Sequence, residues 1–250
     1  MSEVFRKTGP PSAYEMFAAE AEGLAELQAA GALRVPAVLD VGVDDRSAWI
    51  ELEKLNLAPA TDATRQALGE RLAELHRTTG DRFGWHRDNT IGLTPQINTR
   101  SGDWIAFLRE HRLGFQFRLA ADNGYGGRLQ VRGEQLMRRL PVWFEGYEPR
   151  ASLLHGDLWG GNWGSCGGEP VVFDPAVYYG DRESDLAMTR LFGGFGQSFY
   201  DAYESAWPLS PGHRERCDVY QLYHVLNHLN LFGSGYLGRA QELLERLLRG

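Results

Sequence analysis

Three polar residues in one short stretch of the sequence have the types and spacing that phosphoryl transfer needs. Asp157 and Asn162 lie five apart in Leu154-His155-Gly156-Asp157-Leu158-Trp159-Gly160-Gly161-Asn162. Asp174 follows twelve residues after Asn162, closing the apolar run Val171-Val172-Phe173. Moving a phosphoryl group is mainly a matter of positioning and of charge neutralisation. One carboxylate must orient the attacking hydroxyl and receive its proton, and Asp157 is the candidate. A second must hold Mg²⁺, and Asp174 is placed for it, with Asn162 adding a neutral oxygen donor so that negative charge does not accumulate. Lys7 and Glu20 form a second constellation, an ion pair that would fix a lysine against nucleotide phosphates. Glu53, Lys54 and Leu55 end the strand before the next long helix, where backbone groups suit an adenine edge. Trp159, beside Asp157, is the candidate for stacking on the acceptor. Any one of these residues alone would read as a turn former or a solvated charge; the combined spacing argues for chemistry.

These side chains need elements to hold them. Val4-Phe5-Arg6-Lys7 reads as a short strand, stopped by Gly9-Pro10-Pro11. Ser12 and Glu15 form a capping box for a helix bearing Phe17, Leu24 and Leu27 and ending at Gly31. Residues 38–43 and 49–53 read as two antiparallel strands joined by an Asp44-Asp45 turn. From Thr61, Leu68, Leu72 and Leu75 form a helical stripe. A polar connection then covers residues 81–102, and Asp103 can cap a helix carrying Trp104, Phe107, Leu108, Leu113 and Phe117. A further helix begins near Leu129 and breaks at Pro141. Residues 152–154 and 171–173 read as a hairpin around a Gly-rich turn, embedded in helix. Val219, Leu222, Tyr223 and Leu226 give the last helix a core-facing face. The expected fold is α+β and bilobal, with a small lobe over residues 1–57, a larger and mainly helical lobe over 58–250, and a ligand cleft between them.

Composition narrows the class. Lys and Arg total 26 against 33 Asp and Glu, a formal net charge of −7, which disfavours non-specific nucleic-acid binding. No apolar run approaches the ~20 residues of a membrane-spanning helix. With two cysteines and no signal segment, a reduced, cytoplasmic setting is expected. His224 and His228 lack a third ligand and read as packing or helix-groove groups, Cys166 as incidental, and Trp85 and Trp104 as either core or sugar-stacking residues. Asp185 reads as a structural acceptor for the amides of the catalytic loop.

The sequence resembles the fructosamine-3-kinase (ketosamine kinase) family, within the aminoglycoside-phosphotransferase and protein-kinase-like group. The resemblance runs from about Phe5 onward. It is carried by Phe83-Gly84-Trp85-His86-Arg87-Asp88-Asn89-Thr90-Ile91-Gly92, Pro95-Gln96-Ile97-Asn98, His111-Arg112-Leu113, the Asp157 stretch with its Leu158-Trp159, Asp174-Pro175-Ala176, Asp185-Leu186-Ala187 and Asn227-His228. It implies a protein-kinase-like fold and ATP-dependent phosphorylation of a sugar hydroxyl on a free or protein-bound ketosamine. It also implies Asp157 as proton acceptor, Asn162 and Asp174 on Mg²⁺, Lys7 and Glu20 at the phosphates, and Glu53, Lys54 and Leu55 at the adenine. Kinases of an aminoglycoside or choline, and a nucleotide-binding pseudokinase, are the alternatives. Kinases of this group place a glycine-rich hairpin ahead of the lysine strand, and the six residues before Lys7 leave no room for one. The expected small-lobe sheet therefore has about three strands and an open edge, through which copies of the chain could self-associate.

Overall fold

The computed structural model describes residues 4–249. In chain order the elements are β1 (Val4–Gly9), α1 (Tyr14–Ala30), β2 (Val38–Val43), β3 (Ala48–Glu53), β4 (Leu57–Ala58), α2 (Asp62–Arg77), β5 (Asn89–Ile91) and β6 (Thr94–Gln96). There follow α3 (Trp104–Phe107), a π-helical segment (Leu108–Gly114), α4 (Phe115–Asp122), α5 (Arg128–Arg139), β7 (Ser152–Leu154), β8 (Trp163–Cys166), β9 (Glu169–Val172) and β10 (Tyr178–Gly180). The remainder is α6 (Glu183–Phe192), α7 (Gln197–Ala206), α8 (His213–Phe232) and α9 (Leu237–Arg249).

The N-terminal sheet has the order β1-β3-β2, with both pairs antiparallel. Ala48, Ile50 and Leu52 alternate inward along β3 and seat it on α1. That alternation buries one face of the sheet against the helix stripe of Phe17, Leu24 and Leu27. Gly31 ends α1 with φ 69°, the left-handed conformation a glycine adopts without penalty. The start of α1 differs from expectation. A 3₁₀ turn over Pro11–Ala13 leads into it, Ala13 occupies the cap, and no side chain caps the helix. The rigid φ of Pro10 and Pro11 takes over the role expected of Ser12.

β4 pairs with β8, so residues 54–56 carry the chain from the N-terminal sheet to the β8–β9 hairpin. In α2, Thr61 accepts from the Thr64 amide at 3.1 Å and Leu68, Leu72 and Leu75 are fully buried. The expected hairpin between residues 152–154 and 171–173 does not form. β7 pairs with β10, while β9 pairs with β8, a strand the apolar pattern did not show. The connection over residues 81–102 contains the β5–β6 hairpin. Behind the hairpins, α2, α6, α7, α8 and α9 pack into the larger lobe. Arg216 on α8 holds Glu183 on α6 in a buried bidentate pair, at 2.8 and 2.9 Å. Among the described residues no helix is long and apolar enough to cross a membrane.

Candidate active site

Asp157 sits on the loop after β7, and that loop is pinned from below. Asp185, in the first turn of α6, accepts from the His155 amide at 2.8 Å and the Gly156 amide at 2.9 Å. His76 of α2 lies 3.3 Å from the same carboxylate. Burial alone would raise Asp185, but the bonds from His76 and the Gly156 amide outweigh it and hold the group below its ordinary range. The His155 ring lies 3.0 Å from the Phe173 carbonyl, and the Ala176 amide donates to the His155 carbonyl at 2.8 Å. The loop of Asp157 and the segment of Asp174 are therefore stitched together. Gly156 makes this possible: a Cβ there would lie 1.9 Å from the Ala176 carbonyl oxygen.

Asn162 completes the link. Its amide donates to the Asp157 carbonyl at 2.9 Å and reaches the Asp157 carboxylate at 3.3 Å. Burial, aided by the charges of Asp185 and Asp174, pushes Asp157 up to about 7. Asp174 has φ 56°, the one non-glycine positive φ among the described residues. A strained backbone that presents an exposed carboxylate is the signature of a site maintained by its surroundings.

Lys7 closes the arrangement from the other lobe. Its ammonium lies 2.7 Å from Glu20 and 2.7 Å from Asp174. Burial would lower its pKa, but the two carboxylates outweigh that and hold it above the ordinary value. Glu20 is raised, since its burial exceeds the help it gets from Lys7. Lys7, Glu20, Asp157, Trp159, Asn162 and Asp174 all line one cavity of about 310 Å³. Trp159 is 41% exposed at its rim, with its ring folded over Gly161, where a Cβ would lie 2.3 Å from the ring.

Glu53, Lys54 and Leu55 are not part of this cavity. Glu53 is committed to Arg34 at 2.6 Å, and residues 54–56 form the strand-to-hairpin link. Trp85 and Trp104 are buried core residues. The His228 ring donates from Nδ1 to the His224 carbonyl at 2.8 Å, as a helix-groove group does, and no cluster of three or more metal-ligating side chains occurs among the described residues.

Sequence reasoning missed the wall opposite Asp157. Asn89, Thr90, Gly92 and Leu93 of the β5–β6 hairpin line the cavity. Behind it, the Asn89 amide donates to the Val177 carbonyl at 2.8 Å and the Gln96 amide to the Ala176 carbonyl at 3.0 Å. The buried amides Asn89, Gln96 and Asn98, three among ordinary loop residues, were the available signal.

A lysine–glutamate pair on the sheet side, a loop aspartate, an asparagine five residues on and a second aspartate after a strand define a phosphotransferase of the bilobal protein-kinase-like fold. A choline kinase of Streptococcus pneumoniae shares that fold, with a TM-score of 0.66 at 13% identity over 100% of this chain and 87% of the other. The fructosamine kinase model matches residues 1–250, and the chain belongs to that family. A Synechocystis sp. protein assigned as a ketoamine kinase is 43% identical over 98% of this chain and 83% of its own. The chloroplastic protein-ribulosamine 3-kinase of Oryza sativa subsp. japonica is 41% identical over 99% of this chain and 73% of its own. A crystal structure from Haemophilus somnus 129PT, assigned as a fructosamine-3-kinase, superposes with a TM-score of 0.91 at 31% identity, covering 98% of this chain and 83% of the other. The chain is thus a kinase, and membership implies ATP as its phosphoryl donor.

Proposed function

We propose that this kinase phosphorylates a sugar hydroxyl of ketosamines, small or protein-bound, with Mg-ATP as donor. The observation that carries the proposal is Lys7, held 2.7 Å from both Glu20 and Asp174 inside the cavity that Asp157 and Asn162 also line. Asp157, poised near 7, accepts the proton of the attacking hydroxyl as the new O–P bond forms and the terminal P–O bond to ADP breaks. Lys7, oriented by Glu20, neutralises phosphate charge.

The donor set suits Mg²⁺. Asp174 and Asn162 offer two hard oxygen ligands, and Mg²⁺ in phosphoryl-transfer sites takes one or two protein carboxylates and fills the rest with water and phosphate. The Lys7 ammonium, 2.7 Å from the exposed Asp174 carboxylate, is an internal cation at that position. When bound, Mg²⁺ supplies charge neutralisation across the phosphates. Glu53, Lys54 and Leu55, at the crossing between lobes, are proposed to meet the adenine through their backbone, and Trp159 to stack on the acceptor. The division into lobes of residues 1–57 and 58–250 belongs to the same proposal; the pairing of Leu57 with Cys166 favours a line slightly earlier.

A phosphotransfer assay on a panel of free and peptide-bound ketosamines tests the reading, with product identified by ³¹P NMR. Turnover confined to the ketosamines is expected. Preferred turnover of an aminoglycoside or choline would replace the acceptor class, and the absence of any Mg-ATP thermal stabilisation would point to a pseudokinase. Self-association is proposed through β1, a sheet edge with Val4 48% and Phe5 50% exposed. Light scattering of the 250-residue chain should show mass rising with concentration, and Phe5→Lys should abolish the rise.

A further inference from the structure

Arg112 is 1% exposed, and no carboxylate pairs with it among the described residues. A buried guanidinium without a counter-charge is costly. Here the cost is offset by oxygen acceptors and ring faces. Nη1 donates to the Ile97 carbonyl at 2.6 Å and the His111 carbonyl at 3.2 Å, and Nη2 to the Asn98 side-chain oxygen at 2.7 Å. The cation lies 4.0 Å from the centre of the Tyr178 ring and 4.6 Å from that of Phe107. Nε has no partner.

The bonds lead in one direction. Asn98, held by Arg112, donates to Asn89 at 2.8 Å, and Gln96 donates to the same Asn89 oxygen at 2.8 Å. Asn89 and Gln96 in turn hold the carbonyls of Val177 and Ala176, which directly follow Asp174-Pro175. Tyr223 of α8 donates to the Gln96 oxygen at 2.9 Å, leaving that amide one orientation. Arg112 itself sits in the π-helical segment Leu108–Gly114. A wider turn of this kind re-aims side chains, and such turns concentrate near functional sites. Gly114 accommodates it: a Cβ there would lie 2.4 Å from the Arg109 carbonyl oxygen.

We infer that Arg112 is a positioning residue that, through Asn98, Asn89 and Gln96, fixes the segment carrying Asp174 against the β5–β6 wall of the cavity. The inference rests on the reading of Asp174 as a metal ligand. Residues that orient a ligand from behind typically change metal affinity or activity by ~10–100-fold when removed.

The test measures Mn²⁺ affinity in the presence of ADP, by electron paramagnetic resonance of the free ion, beside kcat and KM. Arg112→Met should weaken Mn²⁺ binding roughly 10-fold or more and lower kcat, with little change in the ketosamine KM. Arg112→Lys keeps the charge but cannot span Ile97 and Asn98 together, so an intermediate loss is expected, and it serves as the readout if the Met variant does not fold. Leu247→Ala on α9 is the comparison for stability alone; it should lower the melting temperature and leave Mn²⁺ affinity unchanged. Unchanged Mn²⁺ affinity in the folded Arg112 variants, beside a clear loss in Asp174→Ala, would overturn the role of Arg112 alone. Unchanged affinity in Asp174→Ala as well would overturn the metal reading and this role with it.

Discussion

Two carboxylate clusters in the larger lobe are built from the same chemistry and differ in what they leave unused. At the back, Asp181 is fully buried and accepts from Tyr147 at 2.8 Å, Tyr220 at 2.5 Å and the Glu183 amide at 3.1 Å, while Arg216 takes both Glu183 oxygens. At the front, the Asp157 carboxylate meets only the long Asn162 contact, and Asp174 meets Lys7 at the mouth of a cavity. Burial raises Asp157 to about 7, and burial beside Glu183 raises Asp181 as well. A perturbed pKa therefore does not by itself single out the carboxylate proposed for proton transfer. Spare acceptor capacity facing a cavity does.

The sharpest way to break this contrast is at the front. Asp157→Asn should lower kcat by ~10²–10⁴-fold while the protein stays folded and Mg-ATP binding stays near wild type. Wild-type turnover would remove Asp157 from proton transfer. At the back, Arg216→Met leaves Glu183 buried and uncompensated and should cost ~3–5 kcal/mol of stability. Denaturant titration reads that loss, and kcat at a temperature where the variant is folded should change little.

The pH response sharpens the same contrast. Acting as the proposed proton acceptor would require Asp157 to be ionised, so on that proposal kcat/KM should fall about tenfold per unit below pH ~7. Its stability effect runs the other way. The folded-state pKa lies above the unfolded value, so the contribution is fully present below about pH 4 and is lost as pH rises through about 7. Asp157→Asn should accordingly be more stable than wild type at pH 8, by an amount that shrinks toward pH 4. An acid limb that persists in an active, Asp157-independent variant would assign it elsewhere. The smallest effect is expected at the rim. Trp159→Ala loses one aromatic stacking partner, about 0.5–1.5 kcal/mol, and should raise the ketosamine KM by roughly 2–10-fold with kcat nearly unchanged.

That Asp157, Asn162 and Asp174 would share one cavity was legible because short covalent spans set their spacing. Lys7 and Glu20 were legible as a lysine strand followed by a helix carrying a glutamate. The Arg112 network was not, because its members join across β5, β6, the π-helical segment and α8, and polar residues in a Gly-containing stretch read as loop. Strand pairing failed for a related reason. The Gly-rich turn after Asp157 suggested a local hairpin between β7 and β9, but β8 takes β9 and leaves β7 to β10. Local patterns mark strands; which strand becomes the neighbour is decided by tertiary packing. The Ser12 cap failed because two prolines already set the entry to α1.

Gly156 has a consequence for error tolerance. At Gly156 no side chain separates the Asp157 loop from the Asp174 segment, so there the two meet backbone to backbone, beside the links made by His155 and Asn162. At that contact a displacement of one segment presses directly on the other, with no side chain at Gly156 to yield. Substitutions beneath one carboxylate should therefore register at both, and the pair behaves as one machined part with a single tolerance.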